Sequence, residues 1–387
     1  MYKFPNPSEE PFGGMHIILT VHQFPPVGNK NAALYVEREA DNTHAALGRA
    51  IFKQFETVVI LKQQNRVTDL GWTNILNRLR VGRCTEDDIT EIRRLVLSNP
   101  ECDVPDFSKP PWSDAILVTP RHGVCEVWNT YAVEKHCKRT RQARYIVNAE
   151  DVDKDNEGSL TMEARLAIAE MNDKQTGKLE QSVLMAIGMK AMVQINFAVE
   201  ANVANGTRGI IEDIIKDTRE SKNVKPDDEG LITLKYPPLM ILFRPLKPMS
   251  IEFEGLRQGV IPITPSETRF KARGRQGTTF KITRRKYAIT PGYAFTDYKS
   301  QGQTIEHIII DIAKPPSGSL SPFGTYVALS RSRGRNNIRL LRDFDENNHP
   351  SEDLRKDMER ITELDKDTKL WWEKEKKAVS ITNINAT

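Results

Sequence analysis

Two stretches of this chain carry residue types that hold anions. Residues 294–304, AFTDYKSQGQT, run from apolar side chains into a hydroxyl, an aromatic ring, a cation and a Gln-Gly pair. Thr296, Tyr298 and Lys299 together suit a single-stranded polynucleotide, offering a hydroxyl and a cation to the backbone and a ring to a base. Gly302 leaves the main chain open to close approach by a phosphate. The plainer alternative is a strand exit dressed with surface polar residues. Residues 325–335, TYVALSRSRGR, place Arg331 at the end of a helix-like run. Its planar, permanently charged guanidinium can clamp an anion. An arginine that reaches a γ-phosphate from a second domain supplies about 10³–10⁵ in rate, or roughly 4–7 kcal/mol of barrier. It does so only if a phosphate is bound opposite.

Other candidates say less on their own. Gln23, beyond the apolar run MHIIL and before Pro25-Pro26, either caps its loop or meets a phosphate. Arg66 follows the run TVVIL and either reaches a phosphate or pairs with a surface carboxylate. Gly177-Lys178 lacks the other residues of G-x-x-x-x-G-K-[ST], since Asn172 and Leu179 stand at the flanking positions, and it reads as a loop. Asp311 ends HIIIDI and mimics a magnesium-binding strand end, but it follows the 294–304 segment, the wrong order for that role. Cys84, Cys102, Cys125 and Cys137 form no C-x-x-C pair, so they read as reduced thiols and no metal site is expected.

Regular elements must position these residues. Runs 15–19 and 57–61 read as buried strands, and residues 43–55 as a helix. Thr85 with Asp88 predicts a capped helix start, followed by Ile89, Ile92, Leu95 and Val96. The proline-rich residues 100–111 suggest a linker. AILVT at 115–119, a proline-marked turn and an amphipathic helix to about Arg139 then open a parallel α/β unit. Between 183 and 286 strand-like runs crowd together with turn signals such as Asn205-Gly206, which suggests a small antiparallel barrel. Strand–helix–strand texture resumes at 287–341. Residues 351–377 read as one helix, with Ser351 as cap and an apolar stripe from Leu354 through Met358, Ile361 and Leu364 to Trp371.

With 387 residues, 39% hydrophobic and 28% charged, the chain is long enough for two or three globular units. No apolar run approaches the roughly 20 residues that span a bilayer, and the first residues form no signal peptide. The net charge of +4 decides little, but its distribution is informative. Residues 269–286, RFKARGRQGTTFKITRRK, hold no acid. Further basic clusters lie at Lys135–Arg144 and Arg331–Arg342. Either these are solvated surface charge or they face a polyanion.

Read in order, QFPPVG, QQNRV, GMKAMVQINFAVEANVANGTRGII, AFTDYKSQGQT and YVALSRSRGRNNIRLL resemble the motifs of Pif-type superfamily-one DNA helicases, which include the helicase portion of Helitron transposons. The resemblance covers residues 12–345. It implies an α/β fold with a RecA-like motor domain, an inserted SH3-like barrel and the remnant of a first RecA-like domain. The boundaries it implies are 1–75 for the remnant, 76–111 for a helical connector, and 112–182 with 287–345 for the second motor domain. Residues 183–286 would be the barrel and 346–387 a C-terminal helix and tail. By the same resemblance Gln23, Arg66 and Arg331 are the catalytic, phosphate-sensing groups. Gln301 and Gly302 would touch nucleotide, while Thr119, Thr296, Tyr298 and Lys299 would track single-stranded or forked DNA. ATP and magnesium are the implied cofactors and 5′-to-3′ unwinding the implied activity, in repair, recombination or telomere maintenance, in the nucleus or mitochondrion. The departures are equally plain. The phosphate-cradling motif and its acidic partner are absent, and Thr20-Val21-His22 leads straight to Gln23 where the family has Gly-Asp. The chain is therefore expected to be the C-terminal part of such a helicase, unable alone to hold ATP and magnesium competently, with residues 1–75 either poorly ordered or exposing apolar edge surface. The second expectation is a non-catalytic single-stranded DNA-binding module, and the third a degenerate transposon remnant.

Overall fold

The computed structural model describes residues 15–20, 34–36, 43–155, 160–171, 182–221, 225–227, 230–247, 252–275, 277–315, 322–345 and 352–384. Gln23, the Gly177-Lys178 loop and the Ser351 cap lie outside the described residues. The helices are α1 (Thr43–Lys53), α2 (Leu70–Arg80), α3 (Glu86–Arg93), α4 (His122–Thr140), α5 (Met162–Ala169), α6 (Asp297–Ser300), α7 (Pro322–Leu329) and α8 (Glu352–Ile384).

A parallel four-stranded sheet anchors the molecule. Its strands are β1 (Ile116–Val118), β13 (Ala294–Phe295), β14 (Ile308–Ile310) and β15 (Ile338–Leu340), in the order β13-β1-β14-β15. These runs are apolar throughout because both faces are covered. On one face Ile116, Ile308, Ile310 and Leu340 pack with Trp72, Ile75, Ile92 and Leu329 from α2, α3 and α7. On the other, Leu117, Ala294 and Ile309 meet Trp112, Val124 and Trp128.

Between β1 and β13 the chain builds a second body. A five-stranded antiparallel sheet contains β5 (Lys190–Val193), β6 (Arg208–Ile215), β8 (Met240–Pro245), β9 (Ile261–Ile263) and β12 (Ile289–Pro291). A three-stranded sheet of β2 (Arg144–Asn148), β4 (Ser182–Met185) and β7 (Leu231–Leu234) shares its core through Val147, Met185, Leu234, Ile211 and Phe243. A third sheet joins β3 (Glu150–Asp153) to the hairpin β10 (Ser266–Arg273) and β11 (Thr279–Lys286), with α5 packed on one face. Strands at 144–153, which the sequence places with residues 112–182, thus pair with strands of the later stretch.

Two expectations are corrected. Residues 15–19 form no strand: Met15, Ile17, Ile18 and Leu19 are exposed, and no described strand pairs with them. Residues 57–61 are no strand either, with Val59 and Leu61 exposed. Their backbone N–H groups at Val58 and Ile60 donate instead to Thr368 Oγ1 and Asp365 Oδ1 on α8, both at 2.9 Å. An extended segment whose alternate N–H groups meet helix side chains satisfies those groups without a sheet. The Thr85 expectation matches the structure, where Thr85 and Asp88 form a reciprocal capping box at the start of α3. On α8 the stripe is buried at Leu354 and Met358, but Trp371 is exposed.

Candidate functional site

The carboxyl ends of parallel strands are where α/β folds present ligand-binding loops, and the predicted residues gather there. β13 ends at Phe295, Thr296 stands at the N-cap position of α6 without a side-chain capping bond, and Tyr298 and Lys299 ride on that short helix. Tyr298 is half exposed, whereas Thr296 is buried. After α6 the loop turns at Gly302, whose φ of 78° lies in the left-handed region and around which a Cβ would meet nothing within 4 Å. That combination of positive φ and open space leaves room for a ligand against the main chain.

Three arginines from distant parts of the chain converge on this loop. Arg331 is 3% exposed and donates from Nε to Val327 O at 2.6 Å and from Nη2 to Ser330 Oγ at 2.6 Å. Arg66 donates to Thr304 Oγ1 at 3.1 Å and to Ser330 O at 3.3 Å. Arg208, which opens β6 directly after the turn at Asn205-Gly206, donates to Thr304 O at 3.1 Å. Among the described residues none of the three makes an ion pair, although Glu306 lies near enough to Arg208 to act on it. Burial, then repulsion from Arg66, pulls the Arg331 guanidinium down to about 10, so it remains charged at neutral pH. Like charges held together without a carboxylate are unfavourable alone and are relieved by an anion.

The framework that holds these cations is dense. Trp72 is fully buried and its indole N–H donates to Leu329 O at 3.2 Å. Thr68 N donates to Arg333 O at 2.8 Å. Asp69 caps α2 through Trp72 N and pairs with Arg335 at 2.9 Å. The Arg335 hydrogen bond is the main reason the Asp69 carboxyl is held down at about 2. Gln303 ties the loop to the antiparallel body, donating to Lys299 O at 2.7 Å and Gly206 O at 3.3 Å.

The structure thus brings Arg66, Arg331, Gln301 and Gly302 together and sets Thr296, Tyr298 and Lys299 beside them. Thr119 differs. It is fully buried, donating its hydroxyl to Asp311 at 3.1 Å and accepting from Arg121 N, so it offers no exposed group of its own. Sequence reading missed Arg208 and Gln303; the signal was their place in NGTRG and SQGQT, motifs read there for other residues. The donor set suits phosphate charge. It does not suit magnesium, which needs carboxylate oxygens, because the groups around Arg331 are cations, carbonyls and the Ser330 hydroxyl, and Asp311 is engaged by Thr119, Arg121 and Arg342. An apolar groove of about 630 Å³, lined by Trp112, Trp128 and Tyr131, lies on the opposite face of the parallel sheet.

No family model matches the chain. It is 24% identical over 344 residues to the ATP-dependent DNA helicase PIF1 of Danio rerio, covering 87% of this chain and 42% of that protein. It is 23% identical over 340 residues to the protein of the same name from Xenopus laevis, again 87% of this chain and 42% of the relative. The crystal structure of the Bacteroides Pif1 helicase in complex with ADP-AlF3 and ssDNA aligns with 85% of this chain and 64% of that one, at a TM-score of 0.51 and 17% identity. The chain is Pif1-like in sequence and fold. It spans under half the length of these curated relatives. Within the Pif1-like fold the α/β character comes from the parallel sheet, and the long excursion between β1 and β13 supplies the mixed sheets. No described helix is long and apolar enough to cross a membrane.

Proposed function

We propose that this chain supplies the arginine side of an ATP site and the adjoining single-stranded DNA track of a Pif1-like DNA helicase. The convergence of Arg66, Arg208 and Arg331 on one loop, with no ion pair to any of them among the described residues and Glu306 acting on Arg208, carries this reading. In it the parallel sheet with α2, α3 and α7 is a RecA-like motor domain, and the two sheets sharing a core between β1 and β13 are the inserted SH3-like barrel. Arg66 and Arg331 meet the γ-phosphate, with Gln23 as a third phosphate-sensing group. Gln301 and Gly302 face the nucleotide, and Thr296, Tyr298 and Lys299 take the DNA strand, with Thr119 positioning that edge from beneath. ATP, when bound, supplies a phosphoryl group to be transferred to water. These residues bind and orient its terminal phosphate and stabilise charge there.

The 387 residues contain no G-x-x-x-x-G-K-[ST], so nothing cradles the remaining phosphates. On its own the chain is then a DNA-binding module that hydrolyses no ATP. Isothermal titration with tripolyphosphate and with labelled oligo(dT) tests both halves. Tripolyphosphate should bind weakly and lose about tenfold in affinity in Arg66→Ala, the charged interaction being the dominant one, while oligo(dT) binding is retained. Unchanged tripolyphosphate affinity in that variant removes the phosphate assignment. DNA-stimulated ATP hydrolysis by the purified chain, lost in Arg331→Ala, would instead show a competent site.

A further inference from the structure

At the carboxyl edge of the parallel sheet, Asp311 follows β14 with its side chain fully buried. Its Oδ2 lies 3.1 Å from the Thr119 hydroxyl, 3.1 Å from Arg342 Nη2 and 3.7 Å from Arg121 Nε, and its Oδ1 accepts from Ala313 N at 3.3 Å. One carboxylate therefore faces two guanidiniums and leaves a positive charge over. The Nε groups of Arg121 and Arg342 are both buried and without a hydrogen-bond partner among the described residues. A buried N–H donor left unpaired is costly, and native structures rarely tolerate one without a ligand or water to fill it. The amino end of α4 adds to the field: Arg121 occupies its cap position with no side-chain cap, and its first turn holds no acid.

Sheet order gives this cluster its direction. Lys299 follows β13, Arg121 follows β1, exposed Lys314 follows β14 and Arg342 follows β15, in the spatial order of the four strands. Neighbouring strands lie about 4.8 Å apart, so the cations are laid over roughly 15 Å of one edge. Arg121 Nη2 donates to Lys314 O at 2.7 Å, which fixes its aim along that edge. Cys125, pushed up to about 12 chiefly by burial, feels both Lys299 and Asp311, so the two ends share one neighbourhood.

We infer that Arg121 and Arg342, held by the buried carboxylate of Asp311, form a second phosphate-binding site that carries a single-stranded nucleic-acid backbone from Lys299 across the whole edge of the sheet. This rests on the DNA-binding reading above and adds a site to it. The probe is a fluorescein-labelled oligo(dT), followed by anisotropy across a range of salt concentrations. Arg121→Gln with Arg342→Gln should weaken binding about tenfold and flatten the slope of log affinity against log salt by about 0.7 for each phosphate no longer neutralised. Lys299→Ala should weaken binding independently. Because removing both arginines strands Asp311, a triple variant adding Asp311→Asn separates fold from binding. It should recover the melting temperature without recovering affinity. If Lys299→Ala weakens binding while the arginine pair changes neither affinity nor slope, this inference fails and the DNA reading stands. If the triple variant regains affinity along with its melting temperature, the arginines serve only the fold. If the unaltered chain binds no oligo(dT), both readings fall together.

Discussion

Arg331 shows how a single side chain can be positioned by residues that never touch a ligand. Its backbone leaves α7 at Leu329, whose carbonyl is held by the indole of Trp72, and its guanidinium is fastened to Val327 O and Ser330 Oγ. Arg331 N donates to Ala328 O and Arg331 O accepts from Ile305 N, so the same residue fixes the loop that carries Gly302. Trp72 is thus the hinge pin between the segment bearing Arg66 and the segment bearing Arg331. Trp72→Phe retains an aromatic ring but leaves the Leu329 carbonyl without its donor in a buried site. It should cost about 1–3 kcal/mol, read from the urea midpoint at unchanged slope. A loss below about 0.5 kcal/mol would mean that packing alone holds the pair of segments. None of this is legible in the chain as a string of residues. Trp72 is an ordinary helical tryptophan in the sequence, and its partner lies 257 positions away.

At the scale of elements, the same junction is held by an ion pair whose pH response has a definite sign. Asp69 is depressed to about 2 in the fold, mainly by its hydrogen bond to Arg335. A carboxylate lowered by folding stabilises the native state above its unfolded value, near pH 3.9, and loses that contribution as pH falls toward about 2. The shift corresponds to about 2.5 kcal/mol at most. Partial exposure of both partners reduces the pair to about 1 kcal/mol. Arg335→Ala should therefore lose about that much near pH 7, and the difference from the unaltered chain should shrink by about pH 2.5. An equal loss at both pH values would assign the effect to Arg335 packing or to its second partner, Glu91. The elements themselves were partly readable. The capping box at Thr85 and the strand–proline–helix sequence at 115–139 depend on neighbours in the chain, and both appear as expected. The runs at 15–19 and 57–61 failed because apolar content does not state what a segment pairs with. Residues 57–61 found helix side chains rather than a strand, and residues 15–19 found no strand among the described residues. The hairpin at 266–286 was read as a basic stretch within a strand-rich region, and its pairing with β3, from before α5, was not legible, since antiparallel pairing leaves no mark at that separation.

Across the whole molecule the basic stretch 269–286 divides into two populations that the sequence shows as one. Alternation along β10 and β11 sends Arg284 and Lys286 inward: Arg284 grips Asp151 with two hydrogen bonds of 2.7 Å, and Lys286 reaches Ser182 O at 3.3 Å. Arg269, Lys271 and Arg273 stand on the other face, exposed, with Lys281 directly opposite Lys271. Lys281 and Arg285 there are already answered by Asp155 and Glu150. The outer row, with Arg275 in the turn beyond it paired to Glu170, faces solvent, so neutralising the stretch wholesale would confuse unfolding with weakened binding. Arg269→Gln, Lys271→Gln and Arg273→Gln together should leave the melting temperature within about 1 °C, since exposed charges contribute little to stability. If DNA passes over this hairpin, the triple variant should weaken oligo(dT) binding and flatten its salt slope by about 0.7 per phosphate. Arg284→Gln should behave oppositely, costing about 3–5 kcal/mol because Asp151 is left without its partner in a buried setting. The two variants draw on the same run of sequence, yet the pleat assigns one to the surface field and the other to the core. A salt slope that does not move in the outer-row variant confines the nucleic-acid surface to the parallel sheet edge.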